Sequence, residues 1–324
     1  MRRAGILTTI VVVGFAVAGV AAQRPRIPPT GTITHVRDNL YVIPGAGGNT
    51  TVFVTATGVV LVDTKLANNG EAILNQVRTV SDEPVSMIIN THSHPDHMGS
   101  NSYFPASVEK VSHENAKKWM GANPQYASNP AVMPGRTFTD TMTLGSGKDR
   151  IDLYYFGPGH TNGDAWVVFP ALRALCIGDL MAWKMAPLID PAAGGSVIAL
   201  PDTLEKALKG IRNVDTVIEG HGDVNTWSGF RDYTQFNRAL LDAAKAGLGK
   251  QTPEEIAASL KPKFPAFTRE ELLPDLEYGG TPMSRAVINV NVAFQELRGE
   301  PVTTNFGGRA GAGAPAAPGP PPGR

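Results

Sequence analysis

Cysteine is almost missing from this chain: among 324 residues there is one, Cys176. A lone thiol excludes an intrachain disulfide, and an exported protein of this size can do without one. Neither charge sign is in excess, with 29 basic and 29 acidic residues. Setting aside both ends, which carry four arginines and no acid, leaves 25 basic against 29 acidic residues, a net charge of −4. That balance, with no Lys/Arg-rich arm, argues against nucleic acid as a partner. No internal repeat is visible, and the glycine cluster Gly45-Ala46-Gly47-Gly48 lacks the Lys-Ser/Thr and following helix of a phosphate loop. It reads instead as a hairpin turn that could flank a site.

Long apolar runs are absent except near the start. Met1-Arg2-Arg3, an apolar run from Ile6 to Val20, and Val20-Ala21-Ala22 form a basic start, an apolar middle and a small-residue cleavage site. This is the pattern of a secretory signal, residues 1–22, with cleavage after Ala22. The run is short for a spanning helix, so no stable membrane span is expected after cleavage, and the expected location is periplasmic or secreted. Phe306 to Arg324 is almost entirely Gly, Ala and Pro with two arginines. Such a segment buries too little apolar surface to offset its ordering entropy, so 306–324 reads as a disordered tail.

Histidine is scarce too, and its distribution carries most of the information. Five of seven fall in one pattern: Thr91-His92-Ser93-His94-Pro95-Asp96-His97, His160 in Gly-Pro-Gly-His-Thr, and His221 in Glu-Gly-His-Gly-Asp. Asp179, in Ile-Gly-Asp-Leu, lies between the last two. Imidazole and carboxylate are natural zinc ligands, and the set is large enough for two ions. On a loop leaving a strand, His92 and His94 can point one way while Asp96 and His97 reach a second ion, with Pro95 stiffening the loop between the pairs. Two such ions about 3.5–4 Å apart generate hydroxide near neutral pH, and Asp96 could carry the proton. His35 and His113 fall outside the set and read as hydrogen-bonded structural residues.

Along the chain, 32–43 and 50–63 read as strands around the glycine turn, 69–80 as helix, and 85–90 as a short strand. Ser112 to Met120 reads as a helix capped by Ser112. Strands are expected at 151–156, 165–169, 173–178 and 215–219, and helices at 200–211, 228–247 and 283–297. Every candidate ligand then follows the C-terminal end of a strand, where open α/β sheets place their sites.

At these residues the chain resembles the metallo-β-lactamase superfamily. The strand ending in Asp63, His-x-His-x-Asp-His at 92–97, Gly-His-Thr at 159–161, Gly-Asp at 178–179 and Gly-His at 220–221 occur in that family's order. The resemblance implies an α/β fold, a four-layer αβ/βα sandwich with C-terminal helices. It implies a metallo-β-lactamase-like domain at 30–250; beyond it the sequence turns helical with proline breaks, and 251–305 reads as an extension packed on the same domain. It also implies two zinc ions, with iron or manganese as alternatives: one held by His92, His94 and His160, the other by Asp96, His97 and His221, and Asp179 bridging. Asp63 matches an aspartate that supports the metal loop without binding metal.

Asp179 stands where β-lactamases of a similar His-Thr-Asn-Gly-Asp type carry a cysteine, and Cys176, three residues earlier on a strand, faces the other way. Their matching lysine falls on Ala182. The tyrosine that lactonases often place three residues past the bridge is absent. An aspartate bridge is instead the pattern of lactonases, glyoxalase-II-type thioesterases and other general hydrolases. Trp183 and Lys184, on the loop after Asp179, are candidate substrate contacts, against a reading of Lys184 as an ordinary surface lysine.

The expected activity is a zinc-dependent hydrolase of a small-molecule ester, lactone, thioester or amide. The alternatives are a β-lactamase and an iron-dependent oxidoreductase on the same fold. A binding protein that kept the fold alone would usually have lost ligands, and none is missing. Oligomeric state is not legible.

Overall fold

A computed structural model describes residues 29–271 and 283–302. The expected leader at 1–22 and tail at 306–324 lie outside the described residues. The first sheet holds seven strands in chain order: β1 (Thr34–Arg37), β2 (Leu40–Ile43), β3 (Thr50–Thr55), β4 (Gly58–Val62), β5 (Val85–Ile89), β6 (Glu109–His113) and β7 (Arg136–Phe138). Pairing is antiparallel from β1 to β4 and parallel from β4 to β7. Helix α1 (Gly70–Val77) supplies the crossover from β4 to β5; α2 (Pro95–Met98), α3 (Glu114–Ala122) and α4 (Pro124–Ala127) follow.

The second sheet orders its strands 13-12-11-10-9-8: β8 (Thr141–Leu144), β9 (Ile151–Tyr154), β10 (Trp166–Phe169), β11 (Ala174–Gly178), β12 (Thr216–Glu219) and β13 (Asn225–Thr226). Its one parallel pair, β11 with β12, is joined through α5 (Leu200–Gly210). Helices α6 (Trp227–Gly247), α7 (Pro253–Leu260) and α8 (Arg285–Arg298) follow among the described residues, with a two-stranded ribbon of β14 (Glu270–Glu271) and β15 (Met283–Ser284) before α8.

Period-two alternation decides which side chains fill which layer. In β4, Val60 and Val62 enter the space between the sheets, while Val59 and Leu61 pack outward with Ile73 and Val77 of α1. In β10, Val167 and Phe169 point inward, while Trp166 and Val168 join α5, α6, α7 and α8 on the outer face. Phe53 of one sheet meets Phe169 of the other edge-on, 5.0 Å between ring centres. Each such fully buried side chain contributes roughly 1.5–3 kcal/mol. Two sheets face to face with helices outside both give the expected four-layer αβ/βα sandwich.

Several local expectations are corrected. The first two strand segments are four strands, because β1 and β2, and β3 and β4, each turn back on themselves. Ser112 does not cap a helix: β6 continues through His113, paired in parallel with β7, and His113 caps α3 by accepting from the Asn115 amide. Pro95 does not merely stiffen a loop. It opens the helical turn α2, where a missing N–H costs nothing. Before α8, residues 283–284 are strand, not helix.

Cys176 lies between the sheets, as the strand alternation required, and burial pushes its thiol up to about 12. Because the thiolate is the reactive form, the native protein should resist a disulfide reagent for hours at pH 8. One equivalent should react at once in denaturant, as followed by the released chromophore.

Candidate metal centre

The edge of the sandwich where β4, β5, β11 and β12 end gathers the candidate residues. His92, His94 and His160 form one three-donor group, and Asp96, His97 and His221 another; His92, His97 and Asp179 form a third group shared between them. Within each group the donor atoms lie within 4.8 Å of one another. Asp179 spans the first two. Its Oδ1 is 3.2 Å from His97 Nε2, while its Oδ2 is 3.4 Å from His221 Nε2 and 3.9 Å from His160 Nε2. Asp96 Oδ2 lies 3.2 Å from His221 Nε2.

Hydrogen bonds on the outward side fix the histidine tautomers. Asp63 accepts from the Thr91 amide (2.8 Å), the Thr91 hydroxyl (2.7 Å) and His97 Nδ1 (2.7 Å). With its proton given to Asp63, the Thr91 hydroxyl accepts from His92 Nδ1 at 3.0 Å. His160 Nδ1 donates to the Leu188 carbonyl (2.6 Å) and His94 Nε2 to Asp190 (2.8 Å). A neutral imidazole has one N–H, so all four present a bare nitrogen inward.

Those nitrogens meet each other. His94 Nδ1 faces His160 Nε2 at 2.9 Å, and His97 Nε2 faces His221 Nε2 at 3.3 Å. His92 Nε2 and Asp179 Oδ1 are buried without a hydrogen-bond partner among the described residues. Opposed lone pairs in a buried volume repel unless a proton or a metal cation lies between them, so the donor set fits a metal.

Backbone geometry delivers the candidate ligands. Asp63 leaves β4 in a left-handed conformation (φ 65°), which aims its carboxylate at Thr91 and His97. Gly178 (φ 55°) ends β11 at a register shift; a Cβ there would lie 2.6 Å from Thr91 Oγ1. Gly48 carries no side chain because its Cβ would fall 2.3 Å from the His97 ring. The glycine turn therefore packs directly on the centre, and Lys65 holds it there. The buried Lys65 ammonium donates to the carbonyls of Ile43 (2.6 Å), Gly45 (2.8 Å) and Gly48 (2.9 Å). Burial pulls this lysine down to about 7, yet three acceptors match the three N–H bonds of the charged form.

A family model described as the metallo-beta-lactamase superfamily matches residues 43–182. Over those residues the chain is similar to that superfamily. A type 2 metallo-β-lactamase of Bacillus sp. (strain 170) is 28% identical over 206 residues, spanning 60% of this chain and 78% of that protein. Another from Bacteroides fragilis is 25% identical over 219 residues, spanning 64% of this chain and 86% of that one. In fold, a metallo-β-lactamase from Pontibacter korlensis superposes with a TM-score of 0.54 at 20% identity, covering 65% of this chain and 99% of its own. The inverting sec-alkylsulfatase Pisa1 from Pseudomonas sp. superposes with a TM-score of 0.62 at 17% identity, over 82% of this chain and half of its own.

All the metallo-β-lactamase motif residues singled out in the sequence therefore come together at one edge. Trp183 lies against the centre, stacked on His221 with ring centres 4.1 Å apart and 16° between planes. Lys184 is exposed at the surface. His35 and His113 are structural: His35 bonds the Asp38 carbonyl, and His113 bonds Thr139 and stacks on Tyr155. Sequence reasoning missed Asp190, Leu188 and Lys65. Asp190 had a signal in Asp-Pro, a turn-initiating pair, and Lys65 in a lysine three residues past the Val59–Val62 run; the Leu188 carbonyl had none.

Protons occupy the two groups unequally in the metal-free state. Burial lowers His92 and His160, the latter to about 4, with neighbouring histidines adding to the effect. Burial would lower His97 and His221 as well, but Asp179, Asp96 and, for His97, Asp63 outweigh it; His97 lies well above its ordinary value and His221 at about 9. His94 is raised by Asp190 against its own burial. Near neutral pH a metal entering the Asp96-His97-His221 group must displace up to two protons, but at the His92-His94-His160 group one at most. As pH falls from 8 to 6, affinity of the former should drop by up to about two log units per pH unit, and of the latter by about one or less. Calorimetric titrations in buffers of different ionisation enthalpy read both proton counts. Asp190→Ala should weaken metal binding at the His94 group roughly 10–100-fold, measured by chelator competition.

Proposed function

We propose that this protein is an exported dinuclear zinc-dependent hydrolase acting on a small ester, lactone, thioester or amide. One observation supports this most: two adjoining donor groups of tautomer-fixed histidines, with the Asp179 carboxylate reaching into both. In this reading His92, His94 and His160 hold one ion, Asp96, His97 and His221 the other, and Asp179 bridges. Bound zinc would supply a hydroxide nucleophile at neutral pH and polarise the attacked carbonyl oxygen.

The protein's own groups do the rest. Asp63 and Thr91 hold His97 and His92 in register, and Trp183 packs one face of His221. Asp96 is the carboxylate for proton movement. It is partly exposed, and although burial would raise it, His97 and His221 hold it ionised, well below the usual carboxylate range. Its Oδ2 can take a proton from the attacking group and return it to the leaving group. Export is read from the leader pattern at residues 1–22. Among the described residues no helix is long and apolar enough to cross a membrane.

A second reading, β-lactam hydrolysis, is favoured by the β-lactamase relatives, while aspartate at 179 in place of a cysteine ligand counts against it. Iron in place of zinc, with redox chemistry, is the third. The mature chain from Gln23, purified without added metal, should carry about two zinc ions, as the donor set implies. It should turn over one class among a lactam, a lactone, a thioester, a phosphodiester and a sulfate ester. His94→Ala and Asp179→Ala should each cost more than the roughly 10–100-fold typical of losing a ligand's partner. Bound iron, or two metals with no turnover, would overturn the hydrolase.

A further inference from the structure

The loop from β11 to α5, residues 180–197, contributes no member of the three donor groups, yet it touches three of the ligand candidates. Trp183 stacks on His221, the Leu188 carbonyl accepts from His160, and Asp190 accepts from His94. Trp183 and Lys184 are both left-handed (φ 56° and 51°), a conformation that persists only where surroundings impose it. Part of the restraint is local: the Trp183 amide bonds the His221 carbonyl (3.0 Å) and the Lys184 amide bonds Glu219 (2.9 Å).

The rest comes from α8, about a hundred residues further along. Arg285 donates to the Ala186 carbonyl (3.2 Å) and sets its guanidinium 4.9 Å from the Trp183 ring centre. Asn289 donates to the Pro187 carbonyl (3.0 Å), next to Leu188. Glu296 accepts from the Val197 amide (2.7 Å) and from the Ser196 hydroxyl. Positions 285, 289 and 296 fall within about 40° of one another around a helix of 3.6 residues per turn, so one stripe of α8 makes all these contacts. Arg285 and Asn289 are each 1% exposed. Polar groups buried this deeply are costly unless hydrogen-bonded, so their bonds to the loop backbone hold the two segments together.

We infer that α8 is a positioning element of the metal centre: through Arg285, Asn289 and Glu296 it clamps the 180–197 loop, which in turn fixes the orientation of His94, His160 and His221. This rests on the dinuclear reading above. It assigns a role to the C-terminal extension beyond packing, although α8 also buries Ala286, Val290 and Ala293 against the outer face of the second sheet.

The two roles separate experimentally. Zinc affinity is measured by chelator competition in the full mature chain and in Arg285→Met, Asn289→Ala and Val290→Ala, alongside melting of each metal-free protein. A clamp predicts that Asn289→Ala and Arg285→Met weaken zinc binding roughly tenfold or more, as loss of ligand-orienting contacts does. Val290→Ala should lower the melting temperature while leaving zinc affinity at the wild-type value. Zinc affinity unchanged in both polar variants, or lowered equally by Val290→Ala, overturns the inference. Should Arg285→Met fail to fold, Asn289→Ala, which deletes one hydrogen bond, decides alone. A wild-type chain that binds no zinc would refute the dinuclear reading and the clamp together; wild-type binding with unaltered variants refutes the clamp only.

Discussion

Everything at this edge of the sandwich depends on where four imidazole protons are held. Each of His92, His94, His97 and His160 has its N–H committed outward, to Thr91, Asp190, Asp63 and Leu188. The inward nitrogens are then acceptors with nothing to accept, packed against two carboxylates among largely buried neighbours. A buried polar group without a partner costs about 1–3 kcal/mol, so the metal-free centre is a poor end state. Protons relieve part of it, which is why His97 and His221 are drawn upward in spite of their burial. A divalent cation relieves all of it at once and links metal binding to folding.

Backbone strain is concentrated in the same place. Nine described non-glycine residues have positive φ, and five of them, Ala46, Asp63, Lys65, Trp183 and Lys184, border the centre. Each costs on the order of 1–3 kcal/mol and survives only when its surroundings over-determine it. For Asp63 that means three hydrogen bonds accepted by one carboxylate; for Lys65, three carbonyls around one ammonium; for Trp183, a ring stacked on a ligand candidate. The strain is offset by the donor geometry it creates. Glycine at 48 and 178 serves the same end, by letting backbone approach His97 and Thr91 where a Cβ would collide.

The donor set was readable in the sequence because its members sit in short motifs, each directly after a strand whose apolar pattern marks its end. Asp63 could be placed for the same reason. Asp190, Leu188 and Lys65 could not, since what they do depends on partners 17 to 96 residues away. A carbonyl such as that of Leu188 has no residue-type signature at all. The misplaced cap at Ser112 has a related cause: the local pattern favours a helix start, but pairing of β6 with β7 carries the strand one residue further, and tertiary structure overrides propensity. Glycines 45 to 48 were recognisable as a turn, but their contact with His97 and Asp96 comes from the fold.

Exposure then indicates from which side a substrate arrives. His92, His97, His160, Asp179 and His221 are buried, whereas the side chains of His94 and Asp96 are 25% and 22% exposed and that of Asp190 is 32% exposed. The open face thus lies over one member of each donor group, the geometry needed for a reacting group to reach both at once. Trp183 stacks on His221, and α8 meets the 180–197 loop at Ala186, Pro187 and Val197. In the dinuclear reading proposed above, a substrate meets the surface around His94, Asp96 and Asp190. In the same reading, metal retention draws mainly on the buried outward bonds of His92, His97 and His160. The two properties share only His94, Asp96 and Asp190, so much of the frame behind them can persist while the chemistry at its mouth changes.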